Sequence, residues 1–293
     1  MTGAAYPAGQ RVRRASGGRL LRDGIERFLR RVATRIGRSA PMDVYCHYAP
    51  GGWVVESPSG SAWNEDGVVS AQSAHWPAIV RNLEGTGPLG VAHLPDRLTR
   101  EHFGDHNVMM SYGYVLARAA RNKERLSVLD WGGSLGHYFL YSQVLLPEVT
   151  FDYHCYEVPS LSRAGRQLQP EVHFHEGADT LDGAIFDLVV CSGTLYYLER
   201  WQEVAGLLAR RAGEYLYITR VMTVEHVPSF VVLQRSRHYG TQFPSWSLNR
   251  RELIGCVEGQ GMELLREFVF DETRFVDHAP EQSACRGFLF RRA

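Results

Sequence analysis

Cysteine is scarce and unpatterned in this chain of 293 residues. Cys46, Cys155, Cys191, Cys256 and Cys285 are odd in number, widely spaced and never arranged as C-x-x-C. That excludes a disulfide framework and a cysteine-based zinc site, and fits a reducing cytoplasm. No run of eighteen apolar residues occurs, which excludes a membrane-spanning helix, and the opening residues carry no signal-peptide pattern. Net charge is missing as well, with 32 basic side chains against 32 acidic ones. The balance is uneven, because ten arginines between Arg11 and Arg38 face only Asp23 and Glu26. The remainder is therefore about eight charges negative, which argues against nucleic acid as a partner.

What is present is an ordinary globular composition, 44% hydrophobic and 22% charged, enough for one large α/β domain with an appendage. Residues 1–17 read as a flexible tail, 18–125 as a basic helix followed by a cap region, and 126–293 as the main domain. Leu21, Ile25, Phe28, Val32 and Ile36 recur at helical spacing with arginines on the other faces, giving an amphipathic helix over 19–36. Three roles suit it: lying on an anionic membrane surface, pairing two copies as a homodimer, or packing on its own domain. Residues 42–67 show no assignable period, and helices are expected near 74–82 and 105–121.

From Leu126 the rhythm becomes regular. Apolar runs at 126–130, 151–157, 172–175, 186–191 and 215–219 alternate with helical patterns at 135–146, 159–168 and 200–212. This is the pattern of βαβ units and a parallel sheet covered on both faces. A helix near 249–260 and two strand-like runs, 263–270 and 287–291, then suggest an antiparallel pair closing the sheet; the stretch between reads as irregular.

Chemistry concentrates in Leu126-Ser-Val-Leu-Asp-Trp-Gly-Gly-Ser-Leu-Gly-His137. A strand ending in Asp130 enters a glycine-rich turn and then a helix, whose free N–H groups and missing side chains let a ligand approach closely. The turn does not match the G-x-G-x-x-G of dinucleotide sites. Glu157 ends the next strand, where a carboxylate can accept both hydroxyls of a ribose. The two carboxylates together describe a nucleoside site with a polar or cationic tail near Asp130 rather than a pyrophosphate site, and S-adenosylmethionine has that shape.

Val-Leu-Asp-x-Gly-Gly-Ser-Leu-Gly resembles the D/E-x-G-x-G-x-G cofactor loop of class I S-adenosylmethionine-dependent methyltransferases, departing from it at Ser134. The likeness continues through Cys191-Ser-Gly-Thr-Leu-Tyr-Tyr-Leu-Glu199, Ile218-Thr-Arg-Val-Met222, Gln234 and Phe243-Pro-Ser-Trp246. This set resembles a bacterial family of methyltransferases met in surface-polysaccharide and natural-product gene clusters, which tends to carry an acidic residue where Thr219 stands. The resemblance implies a Rossmann-like seven-stranded sheet with its last strand antiparallel and an N-terminal helical or irregular cap. It implies S-adenosylmethionine as cofactor, with Asp130, Gly132, Gly133, Ser134 and Gly136 near the methionine end and Glu157 on the ribose. Asp179 is implied near the adenine, with Glu176 and Asp182 as competitors, and Cys191, Ser192 and Gly193 beside the sulfonium.

Methyl transfer asks the protein to align donor and acceptor and, for a hydroxyl acceptor, to supply a base. Catalytic candidates at the sheet edge are Tyr196, Arg220 and His226, with Tyr197, Glu199, Gln234, His238, Tyr239 and Trp246 nearby in sequence. Arg220 directly follows an apolar strand, where a charge meets either a ligand carboxylate or an internal partner. His75, Trp76, His102, His106, Tyr112 and Tyr114 belong to the cap region. His102 and His106 could share a helical face, but Gly104 and Asp105 suggest a turn, so no metal is expected. The expected activity is methylation of an oxygen or nitrogen of a small amino-acid- or sugar-derived molecule. The competing classes are a non-catalytic cofactor-binding partner of another enzyme and, less in keeping with the glycine spacing, a nicotinamide-dependent dehydrogenase.

Overall fold

The computed structural model describes residues 44–54, 62–84, 89, 103–181, 183–236, 241–272 and 274–293. The tail over 1–17 and the basic helix over 19–36 lie outside them. The strands are β1 (Val44–Tyr48), β2 (Arg125–Trp131), β3 (Thr150–Tyr156), β4 (His173–His175), β5 (Phe186–Ser192), β6 (Ala212–Val224), β7 (Phe230–Ser236), β8 (Thr241–Asn249), β9 (Met262–Phe270), β10 (Val276–Asp277) and β11 (Ala284–Arg292). The helices are α1 (Asp66–Leu83), α2 (Phe103–Ala119), α3 (His137–Leu145), α4 (Pro159–Leu168), α5 (Trp201–Arg211) and α6 (Arg250–Glu258).

Seven strands form the main sheet in the order β4-β3-β2-β5-β6-β11-β9. Neighbours from β4 to β6 run parallel, while β11 is antiparallel to both β6 and β9. The long apolar runs have a simple cause. A parallel sheet with helices on both faces buries successive residues of a strand in opposite cores. Val128 and Val190 enter a core with Met109, Tyr112 and Leu116 of α2. Leu129 and Val189 enter the opposite one with Ala205 and Leu208 of α5 and Leu253 of α6. Each of the valine, leucine and methionine side chains, once fully buried, contributes about 1.5–3 kcal/mol. The core of the sheet thus includes α2, which precedes the boundary expected after residue 125.

A second sheet, ordered β10-β1-β7-β8, grows from the far end of β6. β6 is 13 residues long, and its pairing with β5 ends at Ser192–Thr219. Its continuation instead pairs Thr223 and Val224 in parallel with Leu248 and Asn249 of β8. The stretch expected to be irregular is therefore a β7–β8 hairpin. Its alternation is disguised because Ser245 and Ser247 are buried, at 4% and 1% exposure, and Pro244 interrupts the strand pattern. Asn249 caps α6, its side chain accepting the N–H groups of Arg251 and Glu252. Gly104 and Asp105, read as a turn, instead open α2. Among the described residues, no helix is long and apolar enough to cross a membrane.

Candidate functional site

β2 delivers Asp130 to the C-terminal edge of the sheet, where it is 1% exposed. The Tyr153 hydroxyl donates to its Oδ2 at 3.0 Å, while Oδ1 has no hydrogen-bond partner among the described residues. Burial pushes the carboxyl up to about 7, against the Tyr153 bond and with the help of the Glu157 charge. The following turn is tight enough to require its glycines. A Cβ on Gly132 would stand 2.3 Å from Thr194, and one on Gly133 would stand 2.3 Å from Asp130 Oδ2. Gly132, Ser134 and Gly136 take left-handed conformations, with φ of 74°, 56° and 81°. Ser134 thus follows a glycine-like path, at a cost of about 1–2 kcal/mol for its side chain.

That cost is met by Glu157. Its Oε2 accepts the Ser134 N–H at 2.9 Å and its Oε1 accepts the Val158 N–H at 2.7 Å, while burial raises its pKa. Each carboxylate oxygen keeps a second lone pair for a ligand. α1 covers this turn: Gln72 accepts from the Ser134 hydroxyl, and Trp76 packs beside His137 at 5.2 Å between ring centres. Burial alone depresses His137 to about 4.

The end of β5 closes on the same turn. Thr194 donates to the Gly132 carbonyl at 3.2 Å, and the Ser192 and Tyr138 hydroxyls lie 2.7 Å apart. Gly193 has φ of 66° and donates its N–H to the Thr219 carbonyl. Asp130, Gly132, Gly133, Ser134, Gly136, Glu157, Cys191, Ser192 and Gly193 are therefore gathered at one edge. Of Asp179 only the backbone is described, within the short turn Ala178–Leu181; Asp182 lies outside the described residues, and Glu176 pairs with Arg166 at 2.6 Å.

Beyond Gly193 lies a cluster of charge. Arg220 has φ of 56°. Its Nε stands 3.7 Å from Glu272 Oε2 without a hydrogen-bond partner, and a Cβ on Gly193 would approach its Nη1 to 3.5 Å. Arg274 is tied down: it donates to Glu272 Oε1 and Gln234 Oε1, both at 2.8 Å, and to the Tyr197 hydroxyl at 3.2 Å. Its guanidinium also lies 5.8 Å from the Tyr196 ring centre. Two guanidinium groups, 18% and 21% exposed, share one carboxylate. Burial would raise Glu272, but Arg220 and Arg274 hold it down at about 2. The cluster as a whole is one charge positive. A cavity between it and the second sheet is bordered by Cys46, Gln234, Ser245, Trp246, Tyr196 and Arg274.

The structure brings Tyr196 and Arg220 together and leaves His226 apart. His226 is exposed in the turn after β6, its N–H accepted by Glu281 at 2.8 Å. Glu199 is also exposed, and Trp246 stacks on Trp53 at 5.6 Å. His106 bonds the Leu89 carbonyl, Tyr112 pairs with Ser142, and Tyr114 is 39% exposed and packs edge-on against Phe268; His102, His238 and Tyr239 lie outside the described residues. Glu272, Arg274, Tyr138 and Gln72 were not singled out from sequence. Asp-Glu-Thr-Arg after an apolar strand reads as an ordinary surface turn, and nothing in a sequence reports that Glu272 and Arg274 fold inward.

No family model and no curated protein sequence matches the chain. Solved structures do. A putative sarcosine dimethylglycine methyltransferase from Galdieria sulphuraria is 11% identical, with a TM-score of 0.50 over 76% of this chain and 98% of that one. Magnesium protoporphyrin IX methyltransferase from Synechocystis PCC 6803 is 14% identical, with a TM-score of 0.48 over 76% and 96%. An amino pentose methyltransferase of calicheamicin biosynthesis from Micromonospora echinaspora is 16% identical, with a TM-score of 0.40 over 64% and 91%. At these identities the likeness is one of fold: the chain has the Rossmann-like architecture of class I methyltransferases.

Proposed function

We propose that the chain is an S-adenosylmethionine-dependent methyltransferase that modifies an oxygen or nitrogen of a small molecule bearing an anionic group. The observation that carries the reading is Asp130: a buried carboxylate with one oxygen unsatisfied, at the mouth of a turn too tight for side chains. An orphaned, buried carboxylate is costly unless a cation arrives, and the ammonium of an amino-acid tail supplies one. Glu157 keeps lone pairs for ribose hydroxyls. These residues fit the cofactor, which when bound supplies an activated methyl group on a sulfonium.

The protein's own work is alignment and exclusion of water. Asp130 and the Gly132–Gly136 turn would hold the amino-acid end, Glu157 the ribose, and Ser192–Gly193 the space before Arg220. The one excess positive charge in the cluster suits an acceptor carboxylate, and Arg220, whose Nε meets Glu272 at ion-pair distance only, is the less committed of the two guanidinium groups. Tyr138, Tyr196 and Ser192 are the hydroxyls within this edge that can guide the acceptor. The five cysteines are all unpaired, in keeping with a reducing compartment. A biosynthetic pathway for natural products or surface polysaccharides suits such an acceptor.

The test is calorimetric titration with S-adenosylhomocysteine. Native protein is expected to bind in the micromolar range, on the order of −8 kcal/mol, and Glu157→Ala to lose that binding. Absence of binding by the native chain would overturn the reading.

A further inference from the structure

On the exposed flank of the sheet, away from the turn that carries Asp130, β3 and β4 bring three imidazoles and a carboxylate onto one face. Asp152 and His154 are two residues apart on β3, and so are His173 and His175 on β4, so each pair shares a face. The register sets His154 directly against His173. Asp152 Oδ1 lies 3.3 Å from His154 Nε2 and 3.8 Å from His173 Nε2, and all three atoms fall within 4.8 Å of one another.

We propose that Asp152, His154 and His173 form a binding site for a divalent transition metal ion of the zinc type. Zinc bonds nitrogen and oxygen ligands at about 2.0–2.1 Å in tetrahedral geometry, which sets neighbouring ligand atoms about 3.3–3.4 Å apart. The Asp152–His154 pair already has that spacing, and the His173 side chain, 62% exposed, is free to swing inward by the remaining ångström or so. An imidazole–carboxylate donor set selects such ions over calcium or magnesium.

The surroundings are built as a second layer for the site. A metal on His154 Nε2 obliges His154 to carry its proton on Nδ1, and that atom lies 2.9 Å from His175 Nε2. His175 then carries its own proton on Nδ1, 3.1 Å from the Thr180 hydroxyl, which in turn donates to the Gly177 carbonyl at 2.6 Å. Every proton in this relay points away from the metal, with one donor and one acceptor at each step. Such outer partners fix the tautomer and orientation of ligating histidines. Asp152 is oriented likewise, Arg125 holding its other oxygen at 3.2 Å.

The test is titration of the full chain with zinc chloride by calorimetry in a non-chelating buffer, with thermal unfolding of each variant as the check on folding. Expected is a site of one equivalent that weakens at least about tenfold in His173→Ala and in Asp152→Asn, both partly exposed and tolerant of change. His175→Ala should keep the stoichiometry and weaken binding by about 10–100-fold, the usual cost of an outer partner. A native chain that binds no zinc, or one whose zinc binding is unchanged in both His173→Ala and Asp152→Asn, would overturn the proposal.

Discussion

Where the parallel strands of the main sheet begin, Lys123 sets its ammonium 2.8 Å from both Asp187 and Glu214. Asp187 also accepts the N–H and hydroxyl of Ser127, whose oxygen accepts the Asp187 N–H in return. Every charge there is partnered and reaches solvent. Where the same strands finish, Asp130 and Arg220 each keep an unpartnered buried atom, and Gly132, Ser134, Gly136, Gly193 and Arg220 all hold left-handed backbone. Left-handed backbone occurs at both ends, with Asn122 and Gly183 where the strands begin, but where they finish it coincides with unmet polarity that a ligand can meet. The contrast marks the finishing ends of the strands as the place where a ligand would be stabilising.

The largest expected effect comes from filling the strained end. In Gly133→Val the new Cβ would stand 2.3 Å from Asp130 Oδ2 and 2.8 Å from Cys155 Sγ. Binding of S-adenosylhomocysteine should fall from the micromolar to beyond the millimolar range, at least about a thousandfold. If calorimetry found that affinity intact in a folded variant, the turn would not be the cofactor's seat.

Next is the burial of Asp130. Burial lifts its carboxyl from an ordinary 3.8 to about 7, so the folded chain retains a proton that the unfolded chain gives up near pH 4. The stabilising contribution is complete below pH 3.8 and is lost as pH rises through 7. His137, depressed to about 4 by burial, acts oppositely over nearly the same window, its contribution present above 6.5 and lost on acidification. Comparing Asp130→Asn with the native chain cancels the histidine. Urea unfolding should show the variant gaining on the native chain between pH 4 and pH 8, by up to about 4 kcal/mol. A difference that does not change with pH would mean that Asp130 is not held protonated.

Sequence made the strained end legible only in part. Asp130, the glycines and Glu157 stand at strand ends in βαβ register, and strand ends are what hydrophobic periodicity reports. The helix over 159–168 and the late antiparallel pair were readable for the same reason. Arg274 and Glu272 were not, because their burial depends on β9, β10 and a second sheet whose strands hide serines inside. Ser245 and Ser247 invert the alternation that marks a strand, and β1, Val-Tyr-Cys-His-Tyr, scarcely alternates at all. The histidines of β3 and β4 were missed because their meeting depends on strand register, which spacing along the chain does not encode.

A smaller effect sharpens the reading of the charged cluster. Arg220→Met removes one guanidinium but leaves Glu272 paired with Arg274, so the cluster becomes neutral without orphaning a carboxylate. With matched pairs of acceptors, each a carboxylic acid and its methyl ester, the native chain should methylate the acid at least about tenfold faster in kcat/KM. The variant should lose that preference while keeping its affinity for S-adenosylhomocysteine. A preference unchanged in the variant would assign Arg220 to structure alone.

The smallest effect belongs to the satisfied end. Lys123→Met leaves Asp187 with the two donors of Ser127 and exposes Glu214 to water, which reaches 42% of its side chain already. Ion pairs open to solvent contribute little, so chemical denaturation should register a loss of about 1 kcal/mol or less. Cofactor affinity should not move, since no strained or unpartnered atom at the far end depends on this lysine. A large loss of affinity would break the comparison outright. It would mean that strain stored where the strands finish is balanced by pairing where they begin, with the rigid β2 and β5 carrying the coupling between them.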